Sequence, residues 1–475
     1  MLGKGPQRYL MKTLSASLAI VLFSLLPATA AAQSRPWIAD RAIGEGMGVR
    51  TGDFELHPGL AGELGYDSNY FQRSGTAPPA GFTGIDTPVY AAYRLRITPS
   101  LTLSTIGSQR RTGDSQSAAP PQFTFRSSLF ASYNELFAAG NSYDFATQRH
   151  IDGGANLGFE VLPARPFSVD GTGSYTRSVA PSNDPAIVNS WNRDILGVGA
   201  GATWRPGGGM FDWRLGYDLR YTYFEADNFR NLNNANHSIN TRGRFKFLPR
   251  TAIIYDGSAA FMRYTNGGAP RNNGDIVQAR LGVNGLVTNR FSILALFGWA
   301  ATFFEPTATP RVLSNYDSVV GQAELDWYVL PQPKLQPGDA TVGLSVIGLG
   351  YTRDISISYL ADYYRRDRGY VKTSYFVGGR FLIDLQGGYS RISHPAFMVA
   401  ATGQPFAGIA EDRVDAQLFT EYRTSDSLGI NATFRYDGSL TNQTLRYQAV
   451  GAAQPLADNL AFSRFQAWLG VRWFM

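Results

Sequence analysis

The sequence predicts an all-β protein, a single closed antiparallel transmembrane β-barrel of about 18 strands in the bacterial outer membrane, with both termini periplasmic. Three observations predict this fold: an export signal at the start, a recurring alternation of apolar and polar side chains, and an amphipathic final segment. Beyond the signal, polar residues interrupt every apolar window, which excludes a helical membrane protein. The lack of cysteine excludes disulfides and thiolate metal sites.

The first residues have the pattern of a secretory signal peptide. Lys4, Arg8 and Lys12 precede an apolar run at 14–26, and small residues follow at 28–32. The run is shorter than the roughly 20 residues of a membrane-spanning helix, so we expect export rather than anchoring. The predicted organisation is a signal peptide at 1–32, a periplasmic N-terminal segment at 33–52 and an outer-membrane barrel at 53–475.

Charge and composition narrow the choice of partners. Removing the three signal cations leaves 40 Lys and Arg against 37 Asp and Glu. This weak balance argues against nucleic acid, which needs a clustered basic face. Aromatic residues make up 13% of the chain, and barrels place such rings in girdles at both membrane interfaces. Outer-membrane lipid is therefore the expected surrounding.

The clearest alternation lies between Phe211 and Tyr223. A period of two indicates a strand, because successive side chains point to opposite faces. Similar alternation recurs at 277–287, 319–329 and 428–437. Soluble sandwiches also alternate, but the repetition, the export signal and lengths near the 9–11 residues of a spanning strand favour a barrel. The apolar face is Phe211, Trp213, Leu215, Tyr217, Leu219, Tyr221 and Tyr223, opposite Asp212, Arg214, Gly216, Asp218, Arg220 and Thr222.

The whole chain divides into an even number of such segments, which places both termini on the periplasmic side. Short turns alternate with long loops, except that 108–121 and 331–339 are long where short turns are expected. A barrel of this size leaves an aqueous channel unless something plugs it, and we expect inward loops to narrow it. The predicted strands are 53–69, 88–107, 122–137, 148–162, 166–177, 191–205, 210–224, 237–247, 251–264, 275–287, 290–303, 316–330, 341–355, 369–378, 381–393, 412–423, 428–439 and 459–475.

The final segment resembles the C-terminal strand that the barrel-assembly machinery recognises. Its outward row is apolar and includes Leu469 and Val471, while Gln466 lies on the inward row. It differs from the familiar pattern in that Met475 follows the aromatic Phe474. The assembly machinery is therefore an expected partner.

Inward positions carry charges of both signs, as any barrel interior does. One group stands out, because three cations share a face at two-residue spacing between 242 and 246. They form either ordinary paired lining or a basic strip that attracts anionic solute. The candidate lumen cations are Arg94, Arg96, Arg214, Arg220, Arg242, Arg244, Lys246 and Arg280.

Catalysis has little support in the sequence. The four histidines show no metal-ligand spacing, and no nucleophile motif of the Gly-x-Ser-x-Gly kind occurs. His150 and Asp152 share an inward face, where lumen lining is the simpler interpretation. The glycines between Gly197 and Gly201 lie inside a predicted strand, so we interpret them as small inward residues rather than a phosphate loop. We predict no catalytic residue, cofactor or metal.

The segment 49–71, VRTGDFELHPGLAGELGYDSNYF, resembles the opening of a β-barrel porin family encoded beside exopolysaccharide synthesis and export systems. Segments at 93–99 and 366–370 fit the same family. The resemblance implies a channel for polysaccharide secretion, with the polymer and periplasmic export components as partners. A general diffusion porin is the alternative, followed by a lipid-modifying barrel enzyme. The residues that carry the resemblance are Phe54, Leu56, Pro58, Leu60, Tyr66, Asp67, Asn69 and Phe71.

Parity assigns directions to the end of this segment. Asp67 and Asn69 point inward near the outer mouth, while Tyr66 and Tyr70 point to the membrane rim. The two polar residues are able to pin the first loop or to touch a passing glycan, and the first role is the simpler.

Overall fold

The computed structural model describes residues 48–475 with internal gaps. The predicted signal peptide, most of the predicted N-terminal segment and the long connections at 108–121 and 331–339 lie outside the described residues. The gaps are 78–79, 81–87, 106–121, 180–191, 207–208, 267–272, 306–314, 330–344, 359–361, 378–379, 400–403, 407, 442–443 and 448–455.

The described chain forms a barrel of eighteen antiparallel strands in sequence order, which confirms the predicted closed antiparallel β-barrel and its strand number. The last strand pairs with the first, from Gly59 opposite Phe474 to Asp67 opposite Gln466. Closure leaves no edge with unpaired backbone groups, which hydrocarbon would penalise. The strands are β1 (Phe54–Asp67), β2 (Ala92–Thr105), β3 (Phe123–Ala138), β4 (His150–Val161), β5 (Phe167–Ser178), β6 (Arg193–Trp204), β7 (Phe211–Phe224), β8 (Asn234–Leu248), β9 (Thr251–Tyr264), β10 (Gly274–Leu286), β11 (Phe291–Phe304), β12 (Tyr316–Tyr328), β13 (Val346–Ile357), β14 (Tyr363–Val377), β15 (Phe381–His394), β16 (Ile409–Ser425), β17 (Leu428–Ser439) and β18 (Phe462–Phe474).

Short strands, hairpins and 3-10 helices lie at the two ends of the barrel. The short strand Val49–Thr51 pairs with the start of β1. Two hairpins, Phe397–Val399 with Gln404–Phe406 and Thr444–Tyr447 with Leu456–Asn459, belong to the long connections. Two 3-10 helices occupy Phe145–Gln148 and Asp227–Leu232. In the described chain, no helix is long and apolar enough to cross a membrane.

One strand starts well before its predicted boundary. β14 begins at Tyr363 rather than at residue 369, because the charged stretch 363–368 continues to pair with β13. This stretch carries three arginines and breaks the apolar alternation, so the sequence indicated a connection. Backbone pairing, rather than contact with lipid, sets the strand length where the wall extends past the apolar belt.

The outer surface carries an apolar belt between two aromatic girdles. Leucines such as Leu281 and Leu469 are more than 60% exposed in the middle of the wall. Phenylalanine and tryptophan dominate the girdle at the end with short turns, for example at Phe167 and Trp473. Closed barrels with this exterior belong to the bacterial outer membrane. At the end with long connections, outward tyrosines donate hydrogen bonds to carboxylates, in the pairs Tyr133 with Glu135, Tyr175 with Asp194, Tyr351 with Asp367 and Tyr389 with Asp412.

Candidate functional site: the lumen

The glycines of β6 leave space on its inward face, and charged side chains from the two neighbouring strands meet there. The Arg214 guanidinium of β7 crosses β6 to the Asp170 carboxylate of β5, with Nε to Oδ1 at 2.9 Å and Nη2 to Oδ2 at 2.5 Å. A Cβ at Gly201 would lie 2.4 Å from the Arg214 Nη2 atom. The close approach of this ion pair therefore requires glycine, which gives the predicted small inward row a physical reason.

The predicted basic strip faces the lumen on β8, but its members differ in their partners. Arg244 donates to Asp212 on β7, with Nε to Oδ2 at 2.8 Å. Arg242 and Lys246 are exposed, and within the described ranges neither forms an ion pair or a side-chain hydrogen bond. Arg242 and Lys246 can therefore act on solute, whereas Arg244 is held in an ion pair with Asp212.

The other predicted lumen cations divide in the same way. Arg280 forms a bidentate pair with Asp256, at 2.8 Å from Nε and 2.7 Å from Nη2. Arg220 is exposed on the inward face of β7. Arg96 binds Glu63, with Nε to Oε2 at 2.6 Å. Exposed charges on an inward face mean that water fills the barrel here, because unpaired charges are not buried.

Asp67 and Asn69 lie in a buried network rather than on the channel surface. The Asp67 carboxylate is fully buried and accepts hydrogen bonds from Arg464, at 2.9 Å from Nε, and from Gln466 at 2.8 Å. The Asn69 side chain binds both backbone groups of Arg73, at 2.8 and 2.9 Å, and the Ser463 carbonyl at 3.0 Å. These contacts join β1 to β18 and fix the first loop, which is the structural role considered for both residues.

The prediction that Tyr70 points to the membrane rim is wrong. Tyr70 is 1% exposed and packs on the inner wall with Phe71 and Phe145, at ring-centroid distances of 5.0 and 5.5 Å. The strand ends at Asp67 and the chain then turns inward, so the two-residue parity no longer holds beyond it. Ala92 and Leu136 on the inward rows of β2 and β3 complete this buried cluster.

The described end of the β13–β14 hairpin also packs on the inner wall of the barrel. Pairing of β13 with β12 stops at Gly321 opposite Arg353. Beyond this point Ile355 packs against Phe304 and Val320, which share the inward parity of their strands. The Tyr363 ring stacks on Tyr316, with centroids 4.7 Å apart. Inward-folded segments therefore narrow the mouth at this end, as expected for a barrel of this width.

A cavity of about 450 Å³ lies against the wall of β16 to β2. It is also lined by Tyr70 of the tucked first loop and by His150, Ser178 and Val179 on and after β4 and β5. The register aligns its floor, because Phe419 lies opposite Thr433, Thr433 opposite Trp468, Trp468 opposite Gly65, and Gly65 opposite Arg94. At about 4.8 Å between strands this row is about 19 Å long. We call this wall the platform. It consists of Arg96, Gln417, Phe419, Thr433, Arg435 and Trp468, of which Trp468 is itself buried.

The sequence identified only Arg96 among these residues as a lumen candidate. Trp468 and Phe419 carried a usable signal, since an aromatic ring on an otherwise polar inward row departs from the alternation. What the sequence did not contain is the register that aligns five strands into one surface. Gly65 is part of that surface, because a Cβ there would lie 2.3 Å from the Trp468 ring.

The described part of the chain contains no group of three His, Asp or Glu side chains positioned to hold a metal ion. His150 and Asp152 have separate partners. The His150 Nδ1 atom lies 2.8 Å from the Gln148 carbonyl, and Asp152 accepts a hydrogen bond from Asn134 at 3.3 Å. Both contacts are those of lumen lining.

No model of a protein family matches the chain, and no curated protein matches it. Several solved structures are similar to it. The outer membrane protein OpdK from Pseudomonas aeruginosa is 10% identical with a TM-score of 0.43, over 89% of this chain and 99% of that chain. OccAB4 from Acinetobacter baumannii is 9% identical with a TM-score of 0.40, over 89% and 98% of the two chains. A bacterial polysaccharide outer membrane secretin is 9% identical with a TM-score of 0.33, over 88% and 97%. At these identities and scores the similarities say nothing about what this barrel transports.

Proposed function

We propose that this barrel is an outer-membrane channel that secretes a polysaccharide. The platform is the observation that carries the proposal. It presents the ring of Phe419 beside the hydroxyl of Thr433, the amide of Gln417 and the guanidinium of Arg435 on one continuous wall. Aromatic faces suit the apolar faces of sugar rings, and the polar groups suit hydroxyls, in the mixture common to small-molecule sites.

The resemblance of residues 49–71 to a porin family encoded beside exopolysaccharide systems supports the same function. The inward-folded loops also support the secretion function, because a narrowed mouth brings a linear polymer into contact with the wall. Polymer and periplasmic export components are the partners proposed with this function, and the assembly machinery is the partner proposed for β18.

A general diffusion porin is the second candidate, and the ion-paired wall favours it. The pairs of Arg214 with Asp170 and of Arg280 with Asp256 line the opposite side of the barrel, where each charge is satisfied by the wall itself. A lipid-modifying enzyme is the third candidate. The contact of Ser358 Oγ with His394 Nδ1 at 3.5 Å does not favour it, because both side chains are buried and out of reach of lipid.

Deletion of the gene separates the first two candidates. For a secretion channel we expect surface polysaccharide to fall and periplasmic polymer to accumulate, with uptake of small solutes unchanged. Plasmid-borne wild-type barrel should restore secretion. Normal surface polysaccharide together with slower uptake of small hydrophilic solutes would instead identify a diffusion porin.

A further inference from the structure

The platform cavity holds more guanidinium groups than carboxylates to neutralise them. Arg94, Arg96, Arg435 and Arg464 line it, whereas Glu63 is the one acid among its described lining residues. Arg96 is paired with Glu63, Arg435 with Asp437 and Arg464 with Asp67. Three carboxylates thus face four guanidinium groups, which leaves one positive charge in excess.

The excess charge resides at Arg94. Its side chain is 13% exposed, and its closest carboxylate oxygen, Oδ2 of Asp67, lies 3.7 Å from Nη1. That carboxylate already accepts hydrogen bonds from Arg464 and Gln466. The Nη2 atom of Arg94 donates to Asn134 at 3.2 Å, and its Nε atom is buried without a hydrogen-bond partner.

Trp468 holds two of the arginines in place. The guanidinium carbons of Arg94 and Arg96 lie 4.8 and 4.5 Å from the centre of its ring. Such cation–π contacts fix long side chains that would otherwise lose rotamer freedom on binding. Gly65 admits the ring, because any side chain there would collide with it. The positive groups are therefore set in position before a ligand arrives.

We propose that this cavity binds an acidic sugar unit of the exported polymer, a hexose that carries a carboxylate. The carboxylate lies at Arg94 and Arg96 and is attracted by the excess charge, while the sugar ring packs on Phe419. Its hydroxyls accept hydrogen bonds from the Arg435 guanidinium and donate to or accept from the Gln417 amide. A planar guanidinium matches a carboxylate in bidentate geometry. This inference rests on the proposed secretion of a polysaccharide and names its chemical class.

The test uses the full barrel in planar bilayers with two probes of equal length, hexagalacturonate and maltohexaose. We expect the acidic probe to block the current at concentrations about tenfold below those of the neutral probe. Arg96→Gln and Arg435→Gln should each raise its half-blocking concentration about tenfold, which corresponds to about 1.4 kcal/mol. Arg290→Gln, at an exposed position in the turn before β11, removes the same charge outside the cavity and the basic strip and should have little effect. Equal block by both probes, or equal loss in Arg290→Gln, would overturn the proposal.

A second readout does not depend on an open pore. Binding of hexagalacturonate to the detergent-solubilised barrel should change its tryptophan fluorescence, and Trp468→Phe should remove this change while heat-modifiable gel mobility confirms folding. Absence of both block and fluorescence change would reject the acidic subsite. Binding without any effect of gene deletion on surface polysaccharide would uphold the site and reject the secretion function.

Discussion

The guanidinium of Arg214 and the carboxylate of Asp170 meet across an intervening strand, because Gly201 leaves the space between them empty. Both side chains are less than a quarter exposed, so the pair contributes more than a surface ion pair does. We expect Arg214→Gln to lower the free energy of unfolding by ~1.5–3 kcal/mol, as for hydrogen bonds to charged groups. Unfolding of the detergent-folded barrel in urea, monitored by its gel mobility, measures this loss of free energy of unfolding.

Gly201→Ala tests the role of the β6 glycines. The added Cβ would displace the Arg214 side chain, so alanine should destabilise the wild-type barrel. In the Arg214→Gln background the same alanine should cost less, because the displaced group is shorter and already unpaired. Additive losses in the double variant would contradict the proposed crossing.

A charge on the outward row of β18 should destabilise the barrel more near the midplane of the membrane than near the interface. Leu469 and Val471 are exposed on the apolar belt, whereas Ser463 lies on the same face at the level where it meets the Tyr436 hydroxyl. We expect Leu469→Arg and Val471→Arg to cost roughly 2–4 kcal/mol near the midplane and Ser463→Arg about 0–1 kcal/mol near the interface. The yield of heat-modifiable barrel in outer membranes measures this order, and equal losses at all three positions would show that the assigned depth is incorrect.

Inward parity alone predicts that Gln466→Arg is tolerated, but the contacts of Gln466 predict a loss. Gln466 is buried and donates to Asp67, which already binds Arg464. A third cation has no free carboxylate here, so we expect this variant to assemble less well than Ser463→Arg.

Neutral variants of the basic strip should distinguish effects on channel selectivity from effects on the stability of the barrel. Replacing Arg242 and Lys246 by glutamine should shift the selectivity of the reconstituted channel towards cations, and more so at low salt, because the screening length is about 8 Å at 0.15 M. Stability should not change, since neither residue is paired within the described part of the chain. Arg244→Gln should shift selectivity too, but it should also destabilise the barrel because Asp212 loses its partner. Unchanged selectivity in an open channel would mean that the strip is ordinary lining.

The tucked first loop should open at alkaline pH. Burial raises the pKa of Tyr70 from its ordinary 10 to about 12. The loop in the open state therefore releases this proton first, so the stability of the tucked state is present below pH 10 and is lost as pH rises towards 12. Single-channel conductance should rise across this window. Tyr70→Phe lacks the hydroxyl and should show no such rise, and a rise of the same size in both proteins would exclude Tyr70 as its cause.

The barrel itself was predictable because lipid outside and water inside impose opposite demands on alternate residues. The segment from Phe211 to Tyr223 carries this signal along its whole length. The signal fails where the chain leaves the bilayer, as at Tyr70 and in the charged stretch at the start of β14. The platform was not predictable for a different reason: Phe419 and Arg94 lie 325 positions apart in a sequence that contains no register. Hydrogen bonding between strands sets that register, and only the closed ring brings the two residues to one wall.

Closure of the ring depends on a contact between the two most distant strands. Every other pair of neighbouring strands is adjacent in sequence, whereas Asp67 and Arg464 are 397 positions apart. A shift of β18 by two residues along β1 would keep the same side chains on the lipid-facing surface, so contact with lipid would not disfavour it. The shift that places Trp468 opposite Asp67 would, however, move the Arg464 guanidinium away from the buried Asp67 carboxylate, at a cost of several kcal/mol. The contact between β1 and β18 therefore disfavours that misalignment, at the pairing of the barrel that spans the greatest distance along the sequence.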